Sequence, residues 1–313
     1  MAYARTKSRR STGRKSSRTS GRYTKRSPVR RRSSAKTRYR KRRGGMSSRR
    51  ILNVSSKKKR NGMLSWTNTD AAGNSQNTAA GKANARGNIA NVFLFCPTAM
   101  DLTTPSTHTV PQEAGRTSRV SYMRGFSEHI RIQTNSPIPW FHRRICFAHR
   151  GDSPFQRATL QDSPTQTYLP YVETSNGLER LWFNQTLNAM QNTINLQQGI
   201  LFKGNSGVDW DDPLLAPIDT SRVDLKFDKT WTLKSGNQSG TVYERKLWHP
   251  MNKNIVYDDD ESGVTEASSH FSVNSKQGMG DYYVMDIFSA GLGGSATDLV
   301  NVYANSTMYW HEK

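Results

Sequence analysis

The first sixty residues of the chain contain 25 lysines and arginines and no aspartate or glutamate. The cations form blocks at 30–32, 40–43 and 57–60, and the residues between them are mostly Ser, Thr and Gly. Such a segment cannot bury enough apolar surface to offset the entropy lost on ordering, and its like charges repel one another. We therefore predict that residues 1–60 are a disordered basic arm and that the folded part of the chain follows them.

The charge of the chain is concentrated in this arm. The whole chain holds 46 basic and 24 acidic residues, a net charge of +22. With 25 cations in the arm, the other 253 residues hold 21 cations and all 24 acids, or about −3. A histone-like or ribosomal protein usually spreads its positive charge over its folded surface, whereas this pattern assigns phosphate neutralisation to a separate arm. Each cation that meets a phosphate releases a counterion, which gives affinity that is independent of base sequence and falls with salt.

We predict that the densest clusters of the arm bind nucleic acid. The predicted contacts are Arg30, Arg31, Arg32, Arg38, Arg40, Lys41, Arg42, Arg43, Arg49, Arg50, Lys57, Lys58, Lys59 and Arg60. Two of the runs, Arg40, Lys41, Arg42, Arg43 and Lys57, Lys58, Lys59, Arg60, also suit nuclear import, which implies a host import receptor as a partner. Import would accompany nucleic-acid binding, because one short cluster suffices for an import signal.

Two other interpretations of the arm fit the sequence less well. A mitochondrial transit peptide needs regularly spaced aliphatic residues, and before Ile51 the arm has one Val and no Leu or Ile. A regulatory Arg/Ser tail, in which phosphorylation cancels positive charge, would favour strict Arg-Ser repeats, and these are absent. Nucleic-acid binding is the interpretation that uses all 25 charges.

Cysteine content and hydropathy favour a cytosolic or nuclear protein. Cys96 and Cys146 are too few for a disulfide framework and suit a reducing compartment. The basic N-terminus contains no apolar run of the kind that a secretory signal needs, and no stretch of 18 apolar residues predicts a membrane span. We therefore expect no membrane partner.

The body of the chain has the pattern of an all-β protein. Residues 61–88 are rich in Ala, Asn and Gly and predict a polar linker, and residues 89–313 predict one β-sandwich domain. In 222–234, Val223, Leu225, Phe227, Trp231 and Leu233 share one parity, as in a half-buried strand. Val120, Tyr122, Phe126, Ile130 and Ile132 are predicted to share a face, with Gly125 at a bulge. Further strands are predicted at 91–96, 140–149, 241–248, 254–257, 270–274, 282–289 and 299–311.

One segment departs from the period of a strand. Phe183, Leu187, Met190 and Ile194 recur at helical spacing within residues 177–198. This spacing predicts a short amphipathic helix inserted in a long connection between strands. It would pack on its own sheet or, alternatively, form a contact between subunits.

No pattern in the chain predicts catalysis or a cofactor. His142, Cys146 and His149, with Cys96 as a fourth ligand, resemble a metal cluster in composition, but on a strand His149 points away from the other two, so we predict no metal site. Residues 258–263 are acidic but lack calcium-loop spacing, and are predicted to form a solvated turn or to meet a basic patch of another subunit. Phosphate-binding loops and hydrolase motifs are absent from the sequence, so we expect no enzyme and no catalytic residues.

Three segments together carry a family resemblance. They are RRILNVSSKKKR at 49–60 followed by MLSW at 63–66, KLWHP at 246–250 leading to NIVYDDDE at 254–261, and the ending YWHEK at 309–313. With these segments the chain resembles the capsid proteins of genomoviruses, in particular the gemycircularvirus type. The resemblance extends over the whole chain.

The resemblance implies a single jelly-roll sandwich with a disordered basic arm and a short inserted helix. It also implies an icosahedral T=1 shell of sixty copies, a circular single-stranded DNA genome of roughly two kilobases, and assembly in a host nucleus. Sixty arms of 25 charges would carry about 1,500 positive charges, the same order as about 2,000 phosphates. The expected function is a structural virion protein that packages single-stranded DNA. The alternative is a host nuclear RNA- or chromatin-binding factor with a regulatory Arg/Ser tail.

Overall fold

The computed structural model describes residues 46–102, 113–152 and 154–313, and in these ranges strands predominate. The strands are β1 Lys57–Met63, β2 Ser65–Thr69, β3 Ser75–Ala80, β4 Ala83–Arg86, β5 Asn91–Phe95, β6 Val120–Thr134, β7 Trp140–His149, β8 Val172–Thr174, β9 Gly177–Trp182, β10 Asp224–Leu233, β11 Val242–Val256, β12 Asp260–Ser262, β13 Thr265–Ala267, β14 Asp281–Ala290 and β15 Leu299–Glu312. The helices are α1 Ser48–Ser55, a short 3-10 turn at Thr186–Asn188, and α2 Gln191–Leu201.

Eight of these strands form a jelly roll. One sheet has the order β1-β15-β6-β11 and the other the order β10-β7-β14-β5. Numbered along the chain, the eight strands pair as 1-8-3-6 and 5-4-7-2, which is the winding of a jelly roll. All the pairings within these two sheets are antiparallel. The prediction of an all-β, jelly-roll sandwich is confirmed.

Smaller elements extend the sandwich. Strand β4 pairs with β15 beyond the end of β1, and β12 and β13 form a separate hairpin. A third sheet has the order β3-β2-β9-β8, in which β2 and β9 run parallel.

The alternation of side chains on the central strands divides the core into an interior and an outer layer. On β7, Cys146 belongs to a cluster between the two main sheets, whereas Ile145 and Phe147 belong to a second cluster on the other face of their sheet. Helix α2 covers this second cluster with Ile194 and Leu201. Strands buried on both faces are mostly apolar throughout, as in β14, where eight consecutive residues from Asp281 are buried and all but Asp281 and Asp286 are apolar or aromatic.

The ordered body begins earlier than the sequence predicts. Residues 47–313 form one compact unit, and β1 pairs with β15 along its whole length, so residues 57–60 are not part of a disordered arm. The predicted linker at 61–88 is also wrong, because it contains the end of β1 and strands β2, β3 and β4. These strands are polar and short. Strand β3 pairs with its neighbour β2, but β1, β2 and β4 pair with β9 or β15, which lie more than a hundred residues away. The local hydropathy pattern of a strand does not reveal a pairing partner that is distant in the sequence.

Two β-bulges change which face a residue occupies. The bulge predicted at Gly125 is confirmed by a register shift in β6, but it reverses the parity of the strand. Phe126 is therefore buried while Val120 and Tyr122 are exposed, contrary to the predicted shared face. On β10 a shift between Leu225 and Phe227 sends these two side chains to opposite faces of their sheet.

Three further predictions of secondary structure need correction. Residues 177–182 form strand β9, and the helix begins only at Gln191, so Phe183 and Leu187 precede it. The predicted strands 241–248 and 254–257 are one strand, β11, which passes through an irregularity between Pro250 and Lys253. Residues 270–274 form no strand and make one isolated bridge, between Ser272 and Tyr257.

Candidate nucleic-acid interface

Helix α1 and strand β1 connect the basic N-terminal segment to the sandwich. Ser47 caps the helix, since its Oγ accepts a hydrogen bond from the backbone N–H of Arg50 at 3.4 Å. The helix ends at Ser55, and Lys58 Nζ donates to the carbonyl of Asn53 at 3.2 Å. Arg50 is exposed on this helix. The junction is therefore an ordered helix and strand in which Arg50 and Lys58 lie at the surface.

The four cations at 57–60 do not all face solvent. Lys57, Lys58 and Arg60 are exposed, whereas Lys59 points into the protein and is 3 % exposed. The Nζ of Lys59 lies 2.9 Å from Glu312 Oε2 and donates to the carbonyl of Gly115 at 2.8 Å. The prediction that Lys59 contacts nucleic acid is wrong, because a strand directs every second side chain inward and this one is neutralised there.

The other predicted contacts fall into two groups. Arg30, Arg31, Arg32, Arg38, Arg40, Lys41, Arg42 and Arg43 lie outside the described residues, and so does the side chain of Arg49, a residue of α1. Arg50, Lys57, Lys58 and Arg60 are described and lie at the surface of the junction. They remain predicted contacts.

Four charged side chains close a ring in the interior, which we call the buried charge ring: Glu128, Arg144, Arg180 and Asp286. Arg144 donates to both oxygens of Asp286, at 2.7 and 2.9 Å, and also to Glu128. Arg180 donates to Glu128 at 2.7 Å and to Asp286 at 3.0 Å. All four side chains are 0 % exposed. Because they come from β6, β7, β9 and β14, the ring joins the two main sheets and the sheet that contains β9.

The ring is electrostatically self-contained. Burial alone would raise the pKa of Glu128, but the guanidinium groups of Arg144 and Arg180 outweigh burial and hold this pKa below its ordinary value. The pKa of Asp286 is likewise lowered, against the effect of burial, by Arg144 and by its contact with His142. Two positive and two negative charges therefore cancel. The carboxylates are ionised and saturated with donors, which suits them to fixing strands rather than exchanging protons near neutral pH.

The residues of the metal-like sequence pattern are distributed over both faces of their sheet. His142 stacks on Phe288 with ring centroids 4.1 Å apart, and its Nε2 donates to Asp286 at 2.7 Å. His149 instead packs against Phe155 on the other face, as predicted from strand alternation. Burial lowers the pKa of His142 to about 4, so the imidazole of His142 is neutral at pH 7. The same alternation puts Cys146 in the interior cluster and Cys96 in the outer one.

The acidic segment at 258–263 is only partly a solvated turn. Asp260 and Glu261 are exposed in the β12–β13 hairpin. Asp259, however, is buried and accepts a hydrogen bond from Arg116 Nη2 at 2.9 Å. The guanidinium of Arg116 also lies over the ring of Tyr257, 3.8 Å from its centroid. Asp259 is therefore a structural ion-pair partner, which its run of acidic neighbours concealed in the sequence.

One cluster of metal-ligand type was missed by the sequence analysis. Asp101, Glu173 and His270 come from three distant segments, and their ligand atoms lie within 4.8 Å of one another. His270 Nε2 lies 2.9 Å from Glu173 Oε2 and 4.0 Å from Asp101 Oδ2, and the imidazole stacks on Tyr171. The hydrogen bond to Glu173 and the stacking on Tyr171 hold His270 in place without an ion. No spacing in the sequence links these residues.

Two sequence comparisons found no match. No protein-family model matches the sequence, and no curated protein matches it. In the described ranges, neither helix is long and apolar enough to cross a bilayer. The candidate interface therefore rests on charge and geometry: a basic N-terminal segment, an ordered junction with outward cations, and a neutralised interior.

Proposed function

We propose that this chain is a structural, non-enzymatic capsid protein that self-assembles into a T=1 shell of sixty copies and packages circular single-stranded DNA. The resemblance to genomovirus capsid proteins supports this proposal, and a jelly-roll body suits a shell subunit. The DNA-binding arm would also carry the protein into the host nucleus through an import receptor. The virion and the host nucleus are then its two locations.

The separation of charge is the observation that carries the proposal. Residues 1–46 hold 19 of the 46 lysines and arginines and no acid, which leaves 27 cations and 24 carboxylates in residues 47–313. The corrected boundary thus changes the net charge of the body from about −3 to about +3. A near-neutral body can pack against copies of itself, while the basic segment neutralises phosphate.

The charge of sixty segments suits a small genome. Sixty copies of 19 cations supply about 1,100 positive charges, against about 2,000 phosphates in a genome of two kilobases. The neutralisation is partial but of the right order. Cations on the inner surface of the body would add to it.

Assembly and DNA packaging can be tested with the full-length protein and a variant lacking residues 1–46. Sixty chains of 35.4 kDa give a particle of about 2 MDa, which size-exclusion chromatography and electron microscopy resolve from a monomer. We expect particles that contain DNA from the full-length protein. The deletion should lower the salt slope of single-strand binding by about 0.7 for each lost phosphate contact.

Two outcomes would contradict the proposal. A full-length protein that stays monomeric with and without DNA would favour the host nuclear factor instead. An unchanged affinity and salt slope after removal of residues 1–46 would show that the basic segment is not the main DNA-binding element.

A further inference from the structure

The outward face of the sheet β1-β15-β6-β11 combines positive charge with exposed aromatic rings. Trp248 on β11 is 46 % exposed and Tyr122 on β6 is 36 % exposed. In these four strands, which are described in full, Glu244 is the one carboxylate that points outward, and Arg131 binds it at 2.7 Å. The face is therefore basic, while carboxylates such as Glu128 and Glu312 point into the core.

Four rings form a row across this face. Trp248 lies beside Tyr309 with ring centroids 5.9 Å apart, and Tyr122 lies beside His311, also at 5.9 Å. Tyr309 and His311 are successive outward positions on β15, so they are about 6.8 Å apart along the strand. That distance is twice the 3.4 Å rise of a duplex strand, which suits an unstacked strand with bases placed on successive rings.

Gly125 allows the row to form. It faces Tyr309 across the β6–β15 pair, and a Cβ at this position would lie 2.7 Å from the indole of Trp248. The indole therefore lies directly over the backbone of β6 and reaches towards Tyr309. A side chain at residue 125 would displace it.

Each ring on β15 has a cation directly opposite on β1. Lys58 pairs with His311, and Arg60 pairs with Tyr309. Directly opposed side chains have Cβ atoms about 5 Å apart, within reach of a base and its phosphate. The pKa of His311 is lowered by partial burial and by the nearby charges of Lys58 and Arg124, so its ring is neutral at pH 7 and free to stack.

A groove lies at the same end of the face. It has a volume of about 490 Å³ and runs between helix α1 and the sheet. Its lining includes Leu52, Tyr122, Arg124, His311 and Lys313, together with Glu312 and three uncharged polar residues. Apolar, aromatic and cationic groups thus meet in one concave site. The site adjoins the helix that follows the basic N-terminal segment in the chain.

We propose that this face is a second binding surface for single-stranded nucleic acid, in which bases stack on Trp248, Tyr309, Tyr122 and His311 while Lys58, Arg60 and Arg124 hold the phosphates. The assignment rests on the proposed packaging function and deepens it. Charge complementarity and the stacking row favour a single strand, because the bases of a duplex are paired inside it and cannot lie on the rings.

Photo-crosslinking of the full-length protein to an oligonucleotide carrying 5-iododeoxyuridine locates the strand. We expect mass spectrometry to find crosslinks at Trp248, Tyr309 or Tyr122 in addition to the basic segment. Crosslinks confined to residues 1–46 would overturn the second surface and leave the packaging proposal standing. A full-length protein that binds no oligonucleotide would instead overturn both.

Matched variants of the full-length protein separate stacking from charge. Tyr122→Ala should weaken oligo(dT) binding about tenfold, whereas Tyr303→Ala, an equally exposed tyrosine about 27 Å away along the same face, should not. K58S/R60S should weaken binding and lower the salt slope by about 1.4, while R157S/K203S, which removes the same charge elsewhere, should leave both unchanged. Equal effects within either pair would overturn the proposal.

Competition experiments define the nucleic acid. Oligo(dT) and oligo(U) share the phosphate and the stacking base, so both should compete for the crosslink at Trp248. Their relative affinities show whether the face prefers DNA or RNA. A DNA duplex of equal length should compete only weakly. Equal competition by the duplex would contradict base stacking.

Discussion

Lys59 Nζ lies 2.9 Å from Glu312 Oε2, and this ion pair is almost completely buried between the first and last strands of the sandwich. Trp310 Nε1 donates to the other carboxylate oxygen at 2.8 Å, and Thr117 Oγ1 donates to Oε2. Burial raises the pKa of Glu312, but the hydrogen bonds from Thr117, Lys59 and Trp310 outweigh it and lower this pKa overall. The two ends of the body are thus joined by one buried charge pair.

Neighbouring lysines of β1 should therefore behave differently on substitution. Lys59→Ala leaves the buried Glu312 carboxylate without its counter-charge and should lower the free energy of unfolding by about 3 kcal/mol. Lys58→Ala, at an exposed position, should leave stability unchanged and weaken DNA binding instead. Urea denaturation and filter binding of the two variants measure these effects. Equal losses of stability would show that Lys59 is not paired in solution.

Truncation should reveal the start of the folded body. Removal of residues 1–46 leaves in place every helix and strand that the structure describes, so a cooperative unfolding transition should persist. Removal of residues 1–60 deletes α1 and half of β1, including Lys59, and exposes the edge of β15. The longer truncation should aggregate or lose its cooperative transition in thermal denaturation followed by circular dichroism. A cooperative transition at the wild-type temperature after the longer truncation would contradict the assigned boundary.

The buried charge ring should be sensitive to loss of a single carboxylate. Glu128→Gln leaves Arg144 and Arg180 to share Asp286 in a site without solvent, and should lower the free energy of unfolding by about 3–5 kcal/mol. Glu244→Gln is the matched control, because it breaks an exposed pair with Arg131 on the surface. Chemical denaturation should detect a large effect for the first variant and none for the second.

Gly125 should tolerate no side chain. Its φ of 155° is unfavourable for other residues, and an added Cβ would lie 2.7 Å from both the indole of Trp248 and the carbonyl oxygen of His249. Gly125→Ala should destabilise the protein by about 2 kcal/mol. Gly62→Ala, where an added Cβ meets nothing within 4 Å, should cause no loss. Thermal denaturation of both variants tests this, and a stable Gly125→Ala protein would contradict the close approach of Trp248.

Stability should fall on acidification between pH 6.5 and 4. Burial lowers the pKa of His142 and of His249 from 6.5 to about 4, so the unfolded chain binds more protons in this window and is favoured by acid. Asp281 acts in the opposite direction, because burial raises its pKa to about 7 and its contribution to stability is lost as pH rises through 4–7. The loss of stability caused by two histidines is larger than the gain from Asp281, so the free energy of unfolding should fall overall on acidification.

The variant His249→Gln tests the source of this pH dependence. Removing one of the two neutral, buried imidazoles should flatten the dependence of the unfolding free energy on pH between 4 and 6.5. Urea titrations at several pH values measure the slope. An unchanged slope in the variant would exclude His249 as a contributor.

Sequence patterns predicted the long, apolar strands and missed the short, polar ones. Strand β7 was predicted with its true bounds, because a strand buried on both faces carries an unbroken run of large residues. Strand β4, with Ala83 and Ala85 as its core residues, has no such run and is held by β15. Its existence depends on a partner more than two hundred residues away.

The sequence predicted which residues give the candidate site its positive charge, but not how the fold orients their side chains. The concentration of positive charge near the N-terminus is evident from composition. The inward orientation of Lys59 and the row of four aromatic rings on the outward sheet face depend instead on strand registers, which no local sequence pattern encodes. Bulges add to the difficulty, since one extra residue at Gly125 moved Tyr122 from the predicted core to the surface.

The alternation of β1 also limits what an import receptor can read. The run 57–60 has four consecutive cations in the sequence, but after folding Lys59 is enclosed and the strand is hydrogen-bonded to β15. A receptor that binds an extended peptide could bind this run only in a chain in which β1 has not yet paired with β15. If both runs serve as import signals, as proposed, the folded protein would have to rely on residues 40–43, because folding makes the run 57–60 inaccessible to the receptor.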